Sequence, residues 1–384
     1  MINVFFLFGL YSGFGSFFYR LLIKWDENNN WQRAAGESFF MGVFVLVLIN
    51  NTLQYFAIPI IQTWLFNVVL LTAIITILFA GYRLLKTDSD SILASTGISV
   101  AQLKNNLFEI LLKHKCHLLL SVVILLHLYY IISQNQALPL TPWDSWYGWI
   151  AKAKIWFYHG LDELLVNRPQ WLLADAKFTN STAHYPDALP LLYVFNSGFF
   201  GWNETALNGI YPSMFVALLL VFYGHIKLLM NKNYALLAVV ILTTIPFINT
   251  HVILAGYADI WVAAYLMLSV FNIQHFFNNP RAKYLLLTAV FMVSMLMFKL
   301  ESWVWLSIFI LVMALTLVNK RKRHWAYLAL LLVVVIWYVL HGFGFNTPFG
   351  QVEISPHMIK IPAFGVYKLA FVNTTSAWIE ALFY

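Results

Sequence analysis

Runs of about 20 nearly uncharged residues recur along this chain between short polar stretches, each long enough to cross about 30 Å of hydrocarbon. The pattern predicts about ten spans, at 3–23, 38–58, 61–82, 116–133, 207–229, 234–253, 259–277, 283–298, 302–318 and 325–342. The apolar stretch 283–318 is too long for one crossing and carries Lys299 and Glu301 at its middle, so two short helices meeting there fit better. The polar connection 83–115 spaces Leu103, Leu107, Ile110 and Leu111 for a single apolar stripe. It reads as an amphipathic helix on the membrane surface, with Lys104, Lys113 and Lys115 toward headgroups. Two longer polar segments remain, 134–206 and 343–384. The first is too long for a plain loop and is expected to carry its own helices. The second shows no clear periodicity.

Composition agrees with the pattern. Apolar residues make up 61% of the chain and charged residues 10%, against about 25% charged in an ordinary soluble domain. Mean hydropathy is +0.73. The expected fold class is an all-α polytopic membrane protein. The stretch Val4–Ile23 lacks a basic leader and a small-residue cleavage pattern, so it reads as a retained first span. Cys116 is the single cysteine, which excludes an intramolecular disulfide. The sequence pI of about 9.2 does not point to nucleic acid, because the basic residues sit in short loops where they set topology and meet anionic lipid. The run Lys320-Arg321-Lys322-Arg323 is the strongest cytoplasmic marker. Extending the alternation from it places 16 of the 23 basic residues inside. Both termini and the segments 134–206 and 343–384 then lie outside.

Four polar clusters fall on that outer side: Trp143-Asp144-Ser145-Trp146, His184-Tyr185-Pro186-Asp187, Gly256-Tyr257-Ala258-Asp259 and Lys299-Leu300-Glu301. Charge near hydrocarbon costs roughly 2.5–3.5 kcal/mol per group on insertion scales, so such clusters mark either function or an interfacial anchor. Each has a plainer account. Trp143, Trp146, Trp149 and Trp156 are spaced for one face of a helix lying flat at the interface. Asp144 and Asp259 open helices and suit capping, a loop histidine such as His184 is ordinarily solvated, and Lys299 can snorkel. The functional account is a shared polar pocket with carboxylates at 144, 187, 259 and 301 and cations at 152, 154 and 299. Asn180-Ser181-Thr182, Asn203-Glu204-Thr205 and Asn373-Thr374-Thr375 also fit glycosylation sequons. No P-loop, GxSxG, HExxH or His/Cys zinc spacing is present.

At these residues the chain resembles the GT-C superfamily of integral-membrane glycosyltransferases, and among them bacterial relatives of dolichyl-phosphate-mannose-protein mannosyltransferases. The resemblance rests on Pro142-Trp143-Asp144-Ser145-Trp146 through Lys152-Ala153-Lys154, on His184-Tyr185-Pro186-Asp187, on Gly256-Tyr257-Ala258-Asp259 and on Lys299-Leu300-Glu301-Ser302, covering roughly 140–302. It implies a GT-C-like bundle with a long external first catalytic loop. The organisation expected is N-terminal helices with their cytoplasmic connection at 1–115, a core at 116–342 with the external loop 134–206, and an external tail at 343–384. A sugar would pass from a polyprenyl-phosphate donor to a glycan, lipid or protein acceptor on the outer face of a bacterial inner membrane. Asp144, His184 and Asp187 are the candidate catalytic residues. Lys152, Lys154, Tyr257, Asp259, Lys299 and Glu301 are the candidate substrate contacts. The first motif holds a lone Asp144 where the family has an acid pair, with Asp162-Glu163 farther along, which leaves a divalent metal ion open. Two rival readings carry different expectations. A transporter or flippase needs polar groups near the midplane, and a non-catalytic assembly subunit would bind no lipid-phosphate sugar.

Overall fold

The protein is described from a computed structural model, which covers residues 1–23, 30–56, 63–92, 115–139, 142–160, 165–166, 178–180, 185–317, 332–338, 342–347, 350–355, 358–362 and 365–368. The described chain forms two compact units, Met1–Trp305 and Leu306–Tyr384.

In the first unit the N-terminal helices pack by way of small residues. Helices α1 (Ile2–Leu22) and α2 (Trp31–Tyr55) approach so closely that a Cβ at Gly15 would stand 1.9 Å from the Ser38 carbonyl oxygen. A Cβ at Gly42 would stand 2.1 Å from the Tyr11 carbonyl oxygen. Helices in lipid gain little from hydrophobic exclusion, so small residues that let backbones meet are what joins them. Helix α3 (Thr63–Ile92) lies against α1, with Thr76 Oγ1 donating to the Gly13 carbonyl at 2.6 Å. It runs ten residues past the expected end of its span. The rest of the expected surface helix, 93–114, lies outside the described residues, as do the basic run 320–323 and most of the tenth span.

Helix α4 (Lys115–Ala137) stands at the edge, with only 11% of its apolar window buried. It is held by its ends. Asn135 Nδ2 donates to the Val252 carbonyl at 2.9 Å, and His117 Nδ1 meets Asn233 Oδ1 at 3.2 Å. The segment 134–206 does carry helices: a π-helical turn (Asp144–Trp149), α5 (Ile150–His159), α6 (Ala188–Phe200) and α7 (Glu204–Asn208). A short parallel pair also forms there, β1 (Leu165–Val166) with β2 (Phe178–Thr179). Helix α6 is no surface feature. Ala188 through Ser197 are all buried, so the expected external loop dips into the bundle.

Helix α8 (Ile210–Leu229) packs on α2, where Gly36 and Gly224 again permit backbone contact. The span expected at 234–253 is broken into α9 (Lys232–Thr243) and α10 (Pro246–Ile253), bent by 65°. Pro246 causes the break: it lacks the N–H the helix needs and is tolerated only in the first turn of the next one. Helix α11 (Asp259–Asn278) follows, then α12 (Ala282–Leu296) and α13 (Ser302–Leu317). The stretch 283–318 is therefore two short helices broken at Lys299–Glu301, as its length requires. Among the described residues, five helices are long and apolar enough to cross a membrane, or six with the bent pair, and four more are shorter apolar helices, of which α13 runs on into the second unit. The first unit is thus a helical membrane bundle.

The second unit corrects the purely helical expectation. Strands β3 (Phe343–Thr347), β4 (Gly350–Ile354), β5 (Met358–Ile361) and β6 (Gly365–Lys368) form an antiparallel meander in chain order. Gly350 at φ 123° and Gly365 at φ 104° open β4 and β6 in backbone conformations that favour glycine. Strands of four or five residues are too brief for alternation to stand out in sequence.

Replacing Gly42 by valine is expected to destabilise the bundle by about 1–3 kcal/mol or more, because the clash is with backbone rather than a flexible side chain. Gly9→Ala, where a Cβ meets nothing within 4 Å, should leave the melting temperature in detergent unchanged or slightly raised.

Candidate functional site

One end of the bundle gathers the polar clusters. After the Pro142 turn the chain enters the π-helical turn Asp144–Trp149, whose wider winding changes the angular step between residues. The tryptophans therefore do not share a face. Trp143 and Trp146 are exposed, whereas Trp149 and Trp156 are 3% and 5% exposed and face the protein. The flat-lying tryptophan helix is corrected accordingly. Asp144 shares the exposed side and makes no ion pair among the described residues. Its neighbour Ser145 is fully buried against Gly256, whose φ of 112° and missing Cβ allow the contact; a Cβ there would lie 2.1 Å from Ser145 Oγ. That contact joins the first cluster to the third.

Tyr185 joins the second to the fourth. Its hydroxyl donates to Glu301 Oε1 at 2.9 Å, its ring packs edge-on to Trp149 at 5.1 Å, and its carbonyl accepts from Lys152 Nζ at 3.4 Å. Burial lifts the Tyr185 hydroxyl above the ordinary tyrosine range, and the Glu301 hydrogen bond and the negative charges of Glu301, Asp144 and Asp259 lift it further. The backbone ties the same corner, since the Ala188 N–H donates to the Met297 carbonyl at 3.2 Å.

Two lysines hold acids here. Lys152, 3% exposed, pairs with Asp187 and lies over the Trp156 ring at 5.1 Å. Lys299 Nζ donates to Asp259 Oδ1 at 2.7 Å at a more open position. Burial raises the Asp187 carboxyl above its usual value, and Lys152 pulls it only partly back. None of the acids caps a helix: Asp144 and Asp259 follow the cap positions Trp143 and Ala258, and Asp187, itself at a cap position, makes no side-chain cap bond. Capping does not account for them.

Other expected site residues lie elsewhere or undescribed. Lys154 turns away to Glu204 of α7 at 3.4 Å and lies over Trp202. The Tyr257 ring packs on His251 at 4.6 Å, while its carbonyl accepts from Tyr211 at 3.0 Å. His184 and Asp162-Glu163 lie outside the described residues. Asn180 is 3% exposed and donates to the Gly148 carbonyl at 3.0 Å, so it is a strut rather than a glycan acceptor. Asn203 accepts from the Ala206 N–H as the cap of α7, and Asn373 lies outside the described residues. No group of three or more metal-ligating side chains is present among the described residues.

A second charged cluster, at the far end of α11, was not singled out by sequence. Glu37, fully buried, accepts at Oε1 from Arg33 Nε (3.1 Å) and Asn272 Nδ2 (3.0 Å), and the same oxygen meets His225 Nε2 at 2.9 Å. Its Oε2 accepts from the Tyr19 hydroxyl at 2.5 Å. His225 Nδ1 meets His275 Nε2 at 2.8 Å. The signal available in sequence is the i, i+4 pair Arg33–Glu37 opening an apolar helix.

Comparison with family models, curated proteins and solved structures gives no match to this chain.

Lys152→Met is expected to cost roughly 2 kcal/mol, because it leaves the largely sequestered Asp187 carboxylate without its counter-charge. The double variant Lys152→Met/Asp187→Asn should recover most of that loss in thermal melts. Acid should not unfold the protein through this group. A native carboxyl raised above its unfolded value takes up its proton first, so its titration adds stability as pH falls toward the unfolded value.

Proposed function

We propose that this protein is a lipid-linked-sugar-dependent glycosyltransferase with a GT-C-like bundle of about ten spans, its site on the outer face of a bacterial inner membrane. The observation that carries the reading is the meeting of the four motifs at one corner, where Ser145 packs on Gly256, Tyr185 donates to Glu301 and Lys299 pairs with Asp259. Four short motifs far apart in sequence have no need to meet unless the meeting place does something. A crevice at one end of an apolar bundle suits a donor whose polyprenyl tail stays in lipid while its phosphate and sugar reach water.

Asp144 is exposed with neither an ion pair nor a side-chain hydrogen bond among the described residues, whereas the exposed Glu301 is held by the Tyr185 hydroxyl, so Asp144 is the carboxylate assigned as general base. It takes the proton of an acceptor hydroxyl as that oxygen attacks the anomeric carbon. The bond from that carbon to the donor's phosphate oxygen breaks, and polyprenyl phosphate leaves with the electron pair. Attack from the side opposite the phosphate inverts the anomeric centre. Lys299 is the cation best placed to meet the departing phosphate, since it is more open than Lys152 and its partner Asp259 is itself half-exposed. Tyr185 holds Glu301 toward the crevice, where that carboxylate can accept from sugar hydroxyls.

A transporter of a lipid-linked sugar is the second reading. It draws on the span broken at Pro246 and on charge buried within the bundle at Glu37, both of which recur in transport proteins. Flux into liposomes without chemical change to the lipid would decide for it.

With short-chain polyprenyl-phosphate sugars as donors, Asp144→Asn should lower kcat about 10²–10⁴-fold. Its exposed position predicts unchanged expression and melting temperature. Full activity in that variant would remove Asp144 from the mechanism.

A further inference from the structure

At the end of the bundle away from the acidic crevice, a groove of about 460 Å³ runs between α4 and the packed helices α2, α8 and α9. That volume falls within the roughly 300–1,000 Å³ typical of ligand sites. Its composition is graded. Gln32, His117 and Ser121 lie toward one end, and Ile124, Leu128 and Val239 form the walls beyond. From His117 to Leu128 the groove follows α4 for roughly 16 Å at the helical rise per residue, the reach of an extended acyl chain within one leaflet.

The polar end is electropositive by construction. Helices α2, α4 and α9 all begin there, at Trp31, Lys115 and Lys232, so three positive helix ends face the same place. The contact of His117 with Asn233 brings the starts of α4 and α9 together, and with them the lysines at 115 and 232. Gln32, partly exposed, lines this end of the groove and carries a side-chain amide whose oxygen is an acceptor for a headgroup hydroxyl. Helix α4 is mostly exposed, which suits a groove that a lipid enters from the side.

We infer that this groove is a binding site for one anionic glycerophospholipid of the leaflet opposite the acidic crevice. One acyl chain lies along α4, the phosphate sits among Lys115, Lys232 and the three helix starts, and a headgroup hydroxyl reaches Gln32. The apolar walls fix a chain, the charges select an anion, and the hydrogen-bond acceptor favours a glycerol headgroup over choline. This site is separate from the crevice and does not depend on the glycosyltransferase reading.

Native mass spectrometry of the full chain, released from micelles after delipidation and titrated with phosphatidylglycerol or phosphatidylcholine, tests it. One phosphatidylglycerol per chain should bind about tenfold more tightly than phosphatidylcholine. Leu128→Trp, which fills the groove, should abolish that adduct, and the surface variant Lys115→Glu/Lys232→Glu should bring the two lipids to equal affinity. Should Leu128→Trp fail to fold, Ile124→Phe obstructs the same channel less severely and should weaken the adduct. Equal binding of the two lipids by the unmodified protein, or an adduct unaffected by obstruction of the groove, overturns the assignment.

Discussion

Pairing of charge under desolvation governs both ends of this bundle. A carboxylate or ammonium removed from water loses several kcal/mol of hydration and must recover it from partners held in good geometry. Glu37 shows the requirement at full strength: with no exposure, it is met by groups from α1, α2, α8 and α11. Those four helices have to assemble in one arrangement for the acid to be satisfied. The glycine contacts between α1 and α2 and between α2 and α8 bring the backbones close enough for this to happen. Packing and pairing therefore specify the same geometry.

The opposite end uses the same rule less completely. Lys152 and Asp187 are matched and sequestered, Lys299 and Asp259 are matched but half-open, and Glu301 is held by a tyrosine hydroxyl. Asp144 is left facing solvent without an ion-pair partner among the described residues. Charge at this end therefore grades from paired and buried to unpaired and exposed. Of the residues that the resemblance singles out, Lys152 and Asp187 pair with each other at the loop before α6, and Lys154 pairs with Glu204 of α7.

Several features were legible in the residues themselves. The break at Lys299–Glu301 followed from an apolar stretch too long for one crossing, and helices within 134–206 followed from a loop too long to lack them. The four polar clusters could be set on one side because charge asymmetry orients every short loop together. Other features were not legible. The π-helical turn at Asp144–Trp149 redirects Trp149 and Trp156 inward, and a spacing argument that assumes the α-helical angle cannot foresee it. The Glu37 cluster joins residues up to 256 positions apart, from Tyr19 to His275, and its members look like ordinary loop and helix-end groups when read singly. The brief strands of the tail carry too few alternating positions to register.

Sequence by itself determined the solvent this protein lives in, the approximate places of its helices and which short motifs are too polar for their surroundings. These are consequences of transfer free energy, which each residue carries with it wherever it sits. Only the tertiary structure decided which charges neutralise one another, that a tyrosine of one motif meets a carboxylate of another, and that a peripheral helix leaves a groove beside it. Those outcomes depend on distances between segments remote in the chain, and electrostatic and packing energies change steeply over a few ångströms.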